Sequence, residues 1–375
     1  MIRKLAAGTV AAALAFTGTC FLGSPAHADD IRDSQWHLKY LKIAEAHRLS
    51  TGKGVIVAVI DSGVSKHRDL SGSVLNGMDF VKRGGTGQND VNGHGTSMAG
   101  IIAAHGSNGN GVLGIAPDAK ILPIRVLGKG GRNAEIGPAI KYAIAHGADV
   151  INISVSGGLD PATIAAVRAA SDADVVVVAA AGNSPRDAGV TAPAVLESVV
   201  AAAAINRSGS KADISVAGPA IDLAAPGEDI TTTTNQNEYA IKQKGTSDAS
   251  AMISGAAALL RSKYPDMSAE ETVQRLETTA TDKGAPGVDD EYGHGIVNIV
   301  AALNGTDVPA SGQQSSSAPT ASAPAAAPTQ PAQASPHTDP ASDKTPLIIG
   351  AVVLVLLAGL AGVIWVRRRS SARST

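Results

Sequence analysis

Six short runs rich in β-branched and small apolar residues constrain this chain more than any other feature. The first, Val55-Ile56-Val57-Ala58-Val59-Ile60, ends on Asp61-Ser62-Gly63. The others occupy Ile121 to Val126, Val150 to Val155, Val175 to Ala179, Val199 to Ala204 and Ile221 to Ala224. Runs apolar on both faces suit the middle of a parallel sheet that is covered by helices. Helical patterns fall between several of them, at His94 to His105, Ala134 to His146 and Pro161 to Ala170. This alternation predicts an α/β fold, a doubly wound, mainly parallel sheet with helices on both faces. Ligands bind such sheets beyond the carboxyl ends of the strands. Asp61 and Asn183 both stand past the end of a predicted strand, and so at that edge. Ahead of the first run, Trp36, Leu38, Leu41, Ile43 and Leu49 recur at loosely helical spacing, which predicts an amphipathic lead-in over Ser34 to Leu49.

Outside this body the composition changes. Residues 1–28 read as a signal peptide, with Arg3 and Lys4, an apolar stretch from Leu5 to Leu22, and Ala26-His27-Ala28 as the cleavage site. The mature chain is expected to start at Asp29. Cys20, the single cysteine, lies inside the leader. That excludes a thiol nucleophile, a thiolate metal site and a disulfide framework from the mature chain. Residues 306–346 are Ala-, Pro- and Ser-rich and have few large apolar side chains, the composition of a disordered linker. Residues 347–366 are apolar and long enough for one transmembrane helix, and residues 367–375 form a basic tail led by Arg367-Arg368-Arg369. Positive charge on that side predicts a single-pass cell-membrane protein with a cytoplasmic tail and an extracytoplasmic domain. The net charge of −2 gives no electrostatic case for nucleic acid as a partner. Residues 29–305 remain as one globular domain.

Three Gly-flanked polar residues point to chemistry in that domain. Gly245-Thr246-Ser247 opens an unbroken run of small and apolar residues, which places Ser247 near the N-terminus of a buried helix. Developing negative charge is favoured there. Serine is a weak nucleophile alone and needs a base and an orienting group. A lone Gly-Thr-Ser is most simply a helix cap, a strand-terminal Asp most simply a loop cap, and Asn183 most simply a turn residue. Together with His94, in Asn92-Gly93-His94-Gly95-Thr96, they all open onto the same predicted sheet edge.

On these motifs the chain resembles the subtilisin-type serine proteases, the subtilases. The matching pieces are Val59-Ile60-Asp61-Ser62-Gly63-Val64, His94-Gly95-Thr96, Ala181-Gly182-Asn183 and Gly245-Thr246-Ser247, in the family's Asp, His, Ser order. The resemblance implies Ser247 as nucleophile, His94 as general base and acid, Asp61 as the orienting carboxylate, and the Asn183 amide with the Ser247 N–H as oxyanion donors. It also implies an extended substrate paired with Ser154-Val155-Ser156-Gly157 and with Leu127-Gly128-Lys129-Gly130. The primary pocket would then be floored by Ser156 to Gly158 and Ala180 to Gly182. Neither segment carries a charge, which predicts a small or apolar side chain before the cut.

Leader, protease domain, Pro-rich tether and single span together resemble the mycosins, the membrane-anchored proteases of type VII secretion systems. Implied partners are peptide or protein substrates and the membrane components of that machinery, with no cofactor. The alternative reading is a structural subunit that stabilises a membrane secretion complex. Some features depart from the family pattern. Asp248 follows the nucleophile where a bulky apolar residue is usual; the expectation is that it points to solvent, the alternative being that it repels the oxyanion. Ala251 replaces a common Pro. Only Asp29 to Thr51 precedes the first strand, too little for an inhibitory prosegment. The loop Gly106 to Gly111 falls where many subtilases bind calcium but carries no carboxylate, so no metal is expected, and His105 and His294 read as structural.

Overall fold

Along the first strand, Val57 and Val59 belong to one buried cluster and Ala58 and Ile60 to another, so both faces of this strand are covered. The structure, a computed structural model, describes residues 28–107, 110–128, 136–157 and 159–305. The signal peptide, the linker, the apolar segment 347–366 and the basic tail lie outside the described residues, Ala28 excepted. So do Lys129, Gly130 and Gly158. Among the described residues no helix is long and apolar enough to cross a membrane.

The strands in chain order are β1 (Ile56–Asp61), β2 (Met78–Asp79), β3 (His105–Ser107), β4 (Asn110–Leu113), β5 (Lys120–Arg125), β6 (Val150–Ile153), β7 (Val176–Ala180), β8 (Val200–Ile205), β9 (Leu223–Pro226), β10 (Ile230–Thr233) and β11 (Tyr239–Gln243). Seven of them form one sheet in the order β2-β5-β1-β6-β7-β8-β9. Every pairing in it is parallel. In register, Asp61 at the end of β1 lies opposite Arg125 at the end of β5. Strands β3–β4 and β10–β11 make separate antiparallel pairs. The α/β fold with a mainly parallel sheet and helices on both faces, expected from the strand runs, is the one observed.

Two core layers flank the sheet. On one face lie the helices His94–Ala103 and Thr246–Lys263; their Met98, Ile101, Ile102, Met252, Ile253 and Leu259 pack against Val57, Val59, Val176 and Val178. On the other face lie the helices Ile136–Ala145 and Pro161–Asp172, whose Ile140, Ala143 and Val167 meet Ile60, Leu122 and Ile151. Burying side chains such as these gives roughly 1.5–3 kcal/mol for each large one. The helix Thr246–Lys263 is buried from Thr246 to Leu260, which explains its run of Ala, Ser and Gly. At Gly255 a Cβ would meet Ile115 Cβ at 2.6 Å.

The lead-in differs from its expected single helix. It breaks into Ala28–Ser34, Trp36–Tyr40 and Ile43–Ala46, with Lys42 in the left-handed region at φ 53°. Gln35 interrupts the helix because its side chain is used elsewhere: Oε1 accepts from Leu113 N at 2.9 Å and Nε2 donates to Leu113 O at 3.0 Å. A tertiary anchor here overrides local helix propensity.

Candidate active site

Asp61 is the last residue of β1, and its side chain is fully buried. One oxygen accepts the Ser62 N–H at 2.7 Å, and His94 Nδ1 lies 2.8 Å from each carboxylate oxygen. His94 begins the helix His94–Ala103, capped by Gly93 at φ 93°. Gly95 makes the close approach possible, because a Cβ there would overlap the Gly63 carbonyl and sit 3.1 Å from Asp61 Cβ. The bond to Asp61 fixes the imidazole with Nδ1–H on the acid and leaves Nε2 facing the cavity.

The loop before His94 is braced by Asp90. Its Oδ1 accepts from Ser62 Oγ at 2.8 Å, Gly93 N at 2.9 Å and Asn92 N at 3.1 Å. Its Oδ2 accepts from Thr96 N at 2.9 Å and Thr96 Oγ1 at 2.6 Å. Ser62 Oγ in turn accepts from Gly95 N at 2.9 Å. The end of β1 and the start of the helix are thereby tied into one unit.

Ser247 occupies the first turn of the helix Thr246–Lys263 and is 7% exposed. Its Oγ donates to the Ser154 carbonyl at 3.3 Å. The helix is pinned to β6 through polar contacts: Ser154 Oγ and Ser250 Oγ lie 2.8 Å apart, and Ser254 Oγ donates to Asn152 Oδ1 at 3.1 Å. Asn183 follows Gly182, whose φ of 126° lets the chain turn out of β7. Asn183 Oδ1 accepts from Thr246 N at 2.9 Å, so its amide nitrogen is the end left for the cavity. His94, Ser247, Asn183, Leu127, Ser154, Val155, Ser156 and Asp248 line one cavity of about 670 Å³ at the carboxyl edge of the sheet.

Nearby charge acts on the imidazole. Burial opposes its charged form, but the carboxylates of Asp61, Asp248 and Asp90 outweigh this and raise it to about 9. Asp248 is raised to about 7 by burial, with His94 pulling it back. The expectation that Asp248 points to solvent is therefore corrected. It is 3% exposed, and its Oδ1 has no hydrogen-bond partner. Its place on the wall of the cavity beside His94 and Ser247 accounts for that burial.

Residues 52–295 match the subtilase family. The chain belongs to the subtilase family. It is a subtilisin-type serine endopeptidase. It is 36% identical to a thermostable alkaline protease of Halalkalibacterium halodurans, over 70% of this chain and 72% of that protein. It is 32% identical to mycosin-1 of Mycobacterium tuberculosis, over 91% of this chain and 86% of mycosin-1. Among solved structures it resembles MycP1, described as a serine protease and an essential component of the type VII (ESX-1) secretion system. The TM-score is 0.68 at 31% identity, covering 75% of this chain and 90% of that one. The subtilase is thus related to the mycosins.

The expected substrate stretches divide. Leu127, Ser154, Val155 and Ser156 line the cavity; the Gly157 N–H bonds the Ala192 carbonyl at 3.0 Å, and Gly128 is buried and not among the lining residues. Arg186 and Lys244 also line the cavity, so its walls carry charge that the two predicted floor segments do not. Asp90 went unread in the sequence; its signal was an Asp two residues before Asn92-Gly93, the pattern of a side chain that caps a turn.

In the loop Gly106 to Gly111, of which residues 108 and 109 lie outside the described residues, the far end is held by other parts of the chain. Arg32 Nε donates to the Gly111 carbonyl at 2.8 Å and its Nη2 to the Asn110 carbonyl at 3.4 Å. Buried Asp69 accepts from Val112 N at 2.9 Å and attracts the same guanidinium. A guanidinium, itself a cation, thus bonds two carbonyls of this loop. His105 bonds the Gly106 and Ser71 carbonyls, as a structural residue would.

Proposed function

We propose that this subtilase cleaves peptide bonds in proteins outside the cytoplasm, through Ser247, His94 and Asp61 with Asn183 as an oxyanion donor. The observation that carries the reading is the buried Asp61 carboxylate holding His94 Nδ1 at 2.8 Å on the cavity that Ser247 and Asn183 share. In the first step the Ser247 hydroxyl turns from the Ser154 carbonyl to His94 Nε2, which takes its proton as Oγ attacks the scissile carbonyl. His94 then delivers that proton to the leaving amine. Water attacks the acyl-enzyme by the same route in reverse. Asp61 stabilises the imidazolium throughout, while the Asn183 amide and the Ser247 N–H hold the oxyanion.

The membrane anchor at 347–366, the linker and the leader complete the proposal: the catalytic domain stands outside the membrane on a tether. Its relation to mycosins supports an association with type VII secretion, whose membrane components and exported proteins are the proposed partners. Labelling of Ser247 by a fluorophosphonate tests the chemistry. Ser247→Ala should lose labelling and about 10⁶-fold in turnover, the size of loss known for subtilisin's own serine. Absence of labelling in the parent at every pH sinks the reading.

A second reading, a structural subunit of a secretion complex, is favoured by one observation: the buried carboxylate of Asp248 directly follows Ser247 and lines the cavity in which the oxyanion would form. Restoration of secretion in a deletion strain by Ser247→Ala, to the parent level, would select it.

A further inference from the structure

The carboxylate next to the nucleophile is the feature that the proposed chemistry leaves unused. Asp248 is 3% exposed and lies on the wall of the cavity shared by His94, Ser247 and Asn183. A Cβ on Gly245 would be 3.7 Å from both Asp248 Oδ2 and Asn183 Oδ1, so both side chains flank Gly245. Its Oδ1 is buried without a hydrogen-bond donor, and no ion pair is made to it among the described residues. A buried carboxylate without a fixed partner is expensive to keep. His94, Lys244 and Arg186 are the basic side chains on this cavity, and of these it is the His94 imidazolium that the Asp248 charge acts on.

We propose that Asp248 is a positioning residue acting through His94: its carboxylate favours the charged imidazole and moves the enzyme's working range toward alkaline pH. This rests on the catalytic reading above. The other charges facing His94 are Asp61 from the end of β1 and Asp90 from the preceding loop, both of which also favour the imidazolium. Lys244 and Arg186 line the same cavity and oppose it. Asp61 and Asp90 are held by several hydrogen bonds and serve the architecture. Asp248 makes none that the fold needs through Oδ1, so its charge is the free variable.

The sign follows from the base's task. His94 accepts a proton from Ser247 only when neutral, and its raised affinity for protons means that neutral fraction grows as pH climbs toward about 9. Asp248 and His94 titrate as a pair, and the acid limb of the pH–rate profile reports the pair rather than either residue. Removing one nearby opposite charge lowers the imidazole's proton affinity by about one pH unit or more. Any oxyanion repulsion by the same carboxylate changes the plateau of the profile and leaves the position of the limb to report the imidazole.

The experiment is the pH dependence of Ser247 labelling by a small fluorophosphonate, on the purified full-length chain and its Asp248→Asn and Asp248→Glu variants. Asp248→Asn should move the acid limb down by about one pH unit, a roughly tenfold faster labelling rate at a pH well below the parent limb. Asp248→Glu should keep the limb near the parent position. Asp248→Ala should repeat the Asn shift and serves if the Asn variant does not fold. A parent that labels normally while the limb stays fixed in both charge-deleted variants overturns the inference alone. A parent that labels at no pH overturns the catalytic reading and the inference with it.

Discussion

Asn183 Oδ1 accepts the Thr246 N–H at 2.9 Å, joining the turn after β7 to the residue before the nucleophile. The bond orients the amide as well as fixing the loop, because using the oxygen on Thr246 aims the nitrogen at the cavity. Asn183→Ala is expected to lower kcat by about 10²–10³, the loss known for subtilisin's own oxyanion asparagine, with a much smaller change in KM. Steady-state kinetics on a peptide anilide decide it. Equal falls in kcat for Asn183→Ala and for a variant at an exposed site would remove Asn183 from the proposed machinery.

Arg125 Nη1 and Asp79 Oδ2 lie 2.7 Å apart, with both side chains almost fully buried. Asp79 also accepts from Lys82 N at 2.9 Å, so the pair staples the loop after β2 to the end of β5. Arg125→Met strands a buried carboxylate and should cost about 3–5 kcal/mol, seen as a lowered urea midpoint at unchanged slope. The double change Asp79→Leu, Arg125→Met should recover much of that loss. An Arg125→Met protein as stable as the parent contradicts this reading.

Strands were legible because burial on both faces leaves no room for polar alternation. Each predicted run lies within about two residues of the observed strand, as Val175 to Ala179 does against Val176–Ala180. The helices His94–Ala103 and Pro161–Asp172 begin at the expected residues, set by Gly93 and by Asp160, whose carboxylate accepts from Thr163 N at 2.9 Å. What escaped were contacts between segments far apart in the chain. Nothing around Asp248 in the sequence says which way a side chain on the first helical turn points. The break at Gln35 depends on Leu113, 78 residues away. The helix Ala269–Thr278 was missed although Ser268 and Glu271 form a capping box, which is a local signal.

Arg32 supplies the positive charge to the loop after His105. Because its guanidinium already bonds the Gly111 and Asn110 carbonyls, the parent's thermal midpoint should be unmoved by a chelator. Arg32→Ala should destabilise by about 1.5–3 kcal/mol, the range for hydrogen bonds to a charged group, and leave Asp69 buried with less compensation. Thermal scans with and without EDTA on both proteins check it. A parent midpoint that drops in EDTA would show that a cation, and not Arg32, holds this loop.

His37 makes the fold sensitive to acid. It is fully buried, its Nε2 lies 3.4 Å from Gln35 Nε2, and its Nδ1 has no partner. Burial, and then the positive charge of Arg207, lower it to about 3. The unfolded chain therefore takes up a proton on this residue near pH 6.5 while the folded chain stays neutral down to about pH 3. More protons bound in the unfolded state means stability falls as pH falls through that window and is fully present above it. The slope is at most about 1.4 kcal/mol per pH unit from this one group. His37→Phe removes the titration, so the loss of stability between pH 6.5 and 4.5 should shrink by about 2–3 kcal/mol relative to the parent, whatever the packing cost at neutral pH. Urea midpoints at the two pH values, measured on the Ser247→Ala background to prevent self-cleavage, give that difference directly. Parallel pH dependence in the two proteins would place the acid sensitivity elsewhere.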